Sequence, residues 1–125
     1  MPAMQVSKNL PFLTRLRFAL AGVAHGLRSE YSVRTQAVAL VAVLVALMFL
    51  RPAPLWWALV LLASSMVLAA ELFNTAIERL ADHLHPEVHP EIRIVKDCAA
   101  AAVLICSAGA VGVAVALIVQ LLRGS

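Results

Sequence analysis

The chain has 125 residues, enough for one domain and too few for two. It is 62% hydrophobic and only 14% charged, with a mean hydropathy of +0.91, whereas soluble domains are about half apolar and about a quarter charged. This excludes an ordinary soluble protein in favour of an integral membrane protein, and in such a chain the net charge of +3 marks cytoplasmic flanks rather than a nucleic-acid surface.

Residues 1 to 11 read as a frayed start, without the apolar core and small-residue cleavage site of a signal peptide. From Phe12 to about Ser29, Leu13, Leu16, Leu20, Val23 and Leu27 recur at three- and four-residue steps, with Arg15, Arg17, His25 and Arg28 between them. The pattern predicts an amphipathic helix in the membrane interface, with His25 an interfacial residue of no special role. An all-α architecture follows, with three transmembrane helices over about 33–50, 55–84 and 96–122, each near or beyond the roughly 20 residues that cross a bilayer.

RPAP at 51–54 separates the first two spans, because two prolines cannot continue a helix. Trp56 and Trp57 then sit where aromatic rings anchor at an interface. HPEVHPEI, 85–92, reads as a loop broken by Pro86 and Pro90. The third span carries Gly109 and Gly112, which let helices approach closely. Its Cys98 and Cys106 are too far apart along a helix to bridge locally and read as buried thiols that pack. Lys8, Arg15, Arg17, Arg28 and Arg34 precede the first span, and Arg79, Arg93 and Lys96 lie between the second and third. Only Arg51 and Arg123 fall on the other side, so the N-terminus and the 79–96 loop are expected in the cytoplasm.

One apolar run ends strangely. AAELFNTAIERLAD, 69–82, follows nearly twenty apolar residues with no turn to mark a stop. Glu71, Asn74 and Glu78 share a helix face at i, i+3 and i+7, with Thr75 and Asp82 on its margin. At 1.5 Å per residue Glu71 lies about 25 Å from Pro54, at headgroup depth. A carboxylate near the hydrocarbon costs free energy, so it tends to face a bundle interior or a site. A helix simply running out into solvent is the plainer alternative, and it suits Glu78 and Asp82 better than Glu71.

Phosphoryl transfer to a lipid hydroxyl would use every part of this face. Glu71 could take the hydroxyl proton, Glu30 and Glu78 could hold Mg²⁺ on nucleotide phosphates, and Lys96 could face the phosphates. No Gly-rich phosphate loop is present, so composition alone does not say kinase. A small non-enzymatic conductor or assembly subunit would also place an acid at this depth, although a conductor is expected to carry a second charge near mid-bilayer. The three histidines of HLHPEVH, 83–89, invite a zinc reading, but the prolines break the spacing a preformed site would use.

The residues resemble the small bacterial integral-membrane diacylglycerol kinases and the related undecaprenol kinases, from about Arg15 to Leu122. ELFNTAIE, 71–78, is similar to the family's E-[LIM]-[LIF]-N-[ST]-A-[IL]-E, and KDCAAAAV, 96–103, to K-D-x-[GA]-[SA]-[GA]-A-V. The Glu87–Pro90 stretch matches E-x-H-P, and Ala19, Gly22, Glu30 and Arg34 fit A-x-x-G-x7-E-x3-R. The resemblance implies a homotrimer in the bacterial inner membrane, with composite active sites shared between subunits. It implies Glu71 as catalytic base with Asn74 beside it, and Glu30 and Glu78 as ligands of the Mg²⁺ that accompanies ATP. It further implies nucleotide contacts from Glu87, His89, Lys96 and Asp97, and a lipid side lined by Arg34, Glu71 and Ala100. The implied reaction is phosphorylation of diacylglycerol to phosphatidic acid, with undecaprenol as the alternative acceptor. Ala100 and the FALAG stretch, 18–22, look more like the undecaprenol branch. EIRIV, before Lys96, is less basic than in relatives, and Pro11 stands near where the diacylglycerol kinases carry an arginine that Arg15 or Arg17 would replace.

Overall fold

The computed structural model describes residues 9–124; Lys8, counted above among the basic residues before the first span, lies outside them. Four helices follow in order: α1 (Phe12–Ser29), α2 (Tyr31–Leu50), α3 (Pro54–Leu84) and α4 (Pro90–Leu122), with no strand among the described residues. Helices α2, α3 and α4 are each long and apolar enough to cross a membrane. Such helices satisfy their backbone polar groups internally, which hydrocarbon demands. Most of their large side chains, among them Val38, Phe49, Leu62, Leu104 and Ile118, face outward.

The antiparallel pair α3–α4 forms the body of the bundle, and α2 packs on α3. Leu47, Val60 and Leu117, closed over by Leu44, Trp56, Trp57 and Val113, make an apolar core at the end where α2 meets α3. The α2–α3 break is built by Arg51, whose φ of 50° and ψ of 54° put it in the left-handed region, its N–H donating to Leu47 O. Pro54 then opens α3 at the first helical position, where its missing N–H has no partner to lose.

At the opposite, charged end, α1 and α2 are separated by one extended residue, Glu30 (φ −118°, ψ 118°). Side chains close the carbonyls left open there. Arg34 Nη1 donates to Arg28 O at 2.9 Å and Leu27 O at 3.3 Å, and Ser29 Oγ donates to His25 O at 2.7 Å. The outer half of α1 keeps its apolar stripe exposed, Phe12, Leu13, Leu16 and Leu20 included, as an interfacial helix would. Its inner half docks through Gly26, which is buried: a Cβ there would meet Leu72 Cδ2 of α3 at 2.7 Å.

Two sequence expectations need correction. The loop expected over 85–92 covers only His85–His89, because Pro90 opens α4 instead of interrupting it. The His89 side chain caps this helix, accepting from Glu91 N–H at 3.1 Å, and Glu91 sits favourably in the first turn. The cysteines are free, as expected, but Cys98 is exposed and Cys106 only half-buried. Cys98 lies on an exposed part of α4 while its neighbour Ala99 is the buried one, so that thiol does not join a core.

Candidate active site

Of the five residues of α3 buried in the bundle, Val60, Val67, Glu71 and Thr75 follow at steps of seven and four and so form one face, with Ala81 buried further on. The apolar face therefore runs straight into a carboxylate. Glu71 is only 6% exposed and is the one charged side chain buried among the described residues. Thr75, placed on the margin by counting along the sequence, is buried one turn below it. The docking of α1 covers this turn: a hollow of about 260 Å³ between α1 and α3 is bounded by His25, Gly26, Leu72, Thr75 and Arg79.

Asn74 and Glu78 stand half-buried beside this face. Asn74 Nδ2 donates to Glu78 Oε1 at 3.1 Å. A carboxylate accepts only, so this bond fixes the amide orientation and turns Asn74 Oδ1 the other way. That oxygen is buried without a hydrogen-bond partner. Buried acceptors are rarely left unpaired, and this one is placed to meet a donor from outside the chain. Glu30, at the α1–α2 elbow, comes to the same helix by another route: Arg79 Nη2 lies 3.4 Å from Glu30 Oε1.

A second cluster lies where α3 ends and α4 begins. A hollow of about 290 Å³ there is lined by Glu87, His89, Lys96 and Asp97, four residues singled out in the sequence. The structure adds Asp82, His85 and Arg93 to its wall. Lys96 Nζ pairs with Asp82 Oδ1, tying α4 to α3, and Arg93 Nε pairs with Asp97 Oδ1 at 3.2 Å along one turn. Three carboxylates thus face two basic side chains, so a highly charged anion would enter best with a cation of its own.

Arg34 and Ala100 line neither hollow: Arg34 is engaged at the end of α1, and Ala100 is exposed on α4 beside buried Ala99. Asp82, set on the margin of the acidic face by the sequence, continues that stripe four residues beyond Glu78 into the hollow between α3 and α4. Arg79 was not legible in the same way, since its partner is 49 residues away. Among the described residues no group of three or more His, Cys, Asp or Glu side chains is arranged to hold a metal ion. Mg²⁺ asks for less, typically one or two carboxylates with phosphate and water completing the shell. Glu30 and Glu78 are hard oxygen donors of that kind, and the orphaned Asn74 Oδ1 suits a bound water, so the donor set fits.

A membrane-spanning helical bundle with a buried carboxylate towards the polar end of its long central helix, and a charged hollow about three turns beyond it, defines the class. The prokaryotic diacylglycerol kinase pattern matches residues 17–118. The chain is also 36% identical over 110 residues to a diacylglycerol kinase of Synechocystis sp., an alignment covering 87% of this chain and 62% of that relative. It therefore spans less than two thirds of that relative's length. The chain belongs to the prokaryotic diacylglycerol kinase family.

Proposed function

We propose that the protein is a lipid kinase that transfers the γ-phosphoryl group of ATP to the hydroxyl of diacylglycerol, giving phosphatidic acid. The observation that carries this reading is Glu71, a buried carboxylate on the inward face of α3, with the Asn74–Glu78 pair one turn further on. Family membership supplies the reaction class.

The acceptor lipid enters sideways from the bilayer, and its hydroxyl comes to Glu71. Glu71 takes the hydroxyl proton as the oxygen attacks the γ-phosphorus in line, and the bond from that phosphorus to the β,γ-bridging oxygen breaks to release ADP. Bound Mg²⁺ would neutralise charge on the phosphate oxygens, held by Glu30 and Glu78. To hold it, those two carboxylates would exchange their present partners, Arg79 and Asn74. Glu87, His89 and Asp97 bound the nucleotide, and Lys96 turns from Asp82 to the phosphates. Asp82 lies eleven residues beyond Glu71 on the same helix, about 16 Å along its axis. A stretched nucleoside triphosphate is of comparable length, so it can lie with its base at the loop and its γ-phosphate towards Glu71. Arg34 and Ala100 would meet the lipid, and neighbouring subunits of a homotrimer in the inner membrane would complete each site, with the charged end cytoplasmic.

The test is purified protein in mixed micelles with labelled ATP, magnesium, and diacylglycerol or undecaprenol as acceptors in parallel. Labelled phosphatidic acid is the expected product. Label entering undecaprenol alone would reassign the acceptor, and no labelled lipid from either would defeat the kinase reading.

A further inference from the structure

The hollow between α3 and α4 contains two histidines whose ring nitrogens are assigned by their backbone partners. His85 Nδ1 lies 2.9 Å from Glu87 O. A carbonyl only accepts, so His85 Nδ1 carries the proton, and in the neutral ring Nε2 is left as an acceptor. His89 is the reverse: its Nδ1 accepts from Glu91 N–H, so the proton sits on Nε2, which is left as a donor. The two rings meet edge to face with centroids 5.1 Å apart. The loop side of the hollow, which both residues line, therefore carries an acceptor nitrogen on one ring and a donor nitrogen on the other that these backbone contacts do not use. Pro86 and Ile92 supply apolar surface next to them.

An adenine edge presents the complementary pair, a 6-amino donor next to the ring-nitrogen acceptor N1. Guanine presents the opposite order, a 6-oxo acceptor next to an N1–H donor, and would set acceptor against acceptor and donor against donor. We propose that His85 is the base-reading residue of this hollow, its Nε2 accepting from the exocyclic amino group of adenine and so selecting ATP over GTP. The inference rests on the hollow being the nucleotide site and names which end of the nucleotide the His85–His89 loop holds. The cations Arg93 and Lys96 lie on the α4 side of the same hollow, where the phosphates would run.

The experiment is equilibrium binding of nucleotides to the purified full chain in detergent micelles, with magnesium and without lipid acceptor. ATP is compared with purine riboside triphosphate, which lacks only the 6-amino group, and with GTP. The unsubstituted protein should prefer ATP to the amino-less analogue by roughly fivefold, the net worth of one hydrogen bond, and should prefer it to GTP by more. In His85→Ala the preference for ATP over the amino-less analogue should vanish. In His85→Gln, which restores a carbonyl acceptor, part of it should return. A purely structural role for His85 at the loop would weaken both nucleotides equally and leave their ratio unchanged, and that result overturns the proposal. Failure of the unsubstituted protein to bind any of the three nucleotides would overturn the nucleotide reading of the hollow as well.

Discussion

Glu71 is 6% exposed and follows nearly five turns of apolar helix. Glu78, two turns on, is half-exposed and already holds Asn74. The two carboxylates therefore stand in different surroundings, and the proposed mechanism gives them different work, a proton to Glu71 and a cation to Glu78. Glu78→Gln keeps an acceptor for Asn74 Nδ2 and removes the charge. It should raise the magnesium concentration needed for half-maximal phosphorylation by roughly tenfold or more, read from magnesium titrations at fixed ATP and lipid. An unchanged titration would remove Glu78 from the metal. The Arg79–Glu30 pair is partly exposed on both sides, and such pairs contribute up to about 1 kcal/mol. Arg79→Ala should accordingly lower the unfolding midpoint only slightly, and a collapse of the fold would show that the contact anchors α1. The acidic stripe was legible because helical periodicity needs only local spacing. Thr75 and Arg79 were not, because burial under α1 and pairing with Glu30 depend on how distant segments meet.

The way α1 meets α3 can be probed through its glycines. Gly22 and Gly26 lie one turn apart, but a Cβ at Gly22 has open space while one at Gly26 runs into Leu72. Gly22→Ala should stabilise by up to about 1 kcal/mol through helix propensity. Gly26→Ala should lose part or all of that gain, since the Leu72 side chain must shift to make room. Thermal unfolding in detergent measures both, and equal midpoints would mean that α1 does not dock closely on α3. Arg51 offers a similar check on α2. It holds a left-handed conformation that glycine adopts freely, so Arg51→Gly should stabilise by up to about 1 kcal/mol. The three spans were legible from length and apolarity. The start of α4 was not, because Pro90 stops a helix from within but opens one at its first position, and only the His89 cap decides between the two.

At the scale of the molecule, the bundle buries few of its large apolar residues and leaves most of α2, α3 and α4 facing outward. Lipid covers such surface, and so does another copy of the chain. The trimer reading predicts a protein mass near three times 13.4 kDa by light scattering corrected for detergent; a monomer at full activity would rule out sites shared between subunits. Composition made the membrane legible, but no feature of a single chain specifies how copies assemble. The account as a whole turns on Glu71. Glu71→Gln keeps the size of the side chain and removes the base, so transfer of labelled phosphate from ATP to diacylglycerol in mixed micelles should fall by roughly 10² or more, with the unfolding midpoint close to that of the unsubstituted protein. A folded Glu71→Gln protein that phosphorylates the lipid at near-normal rate would contradict it.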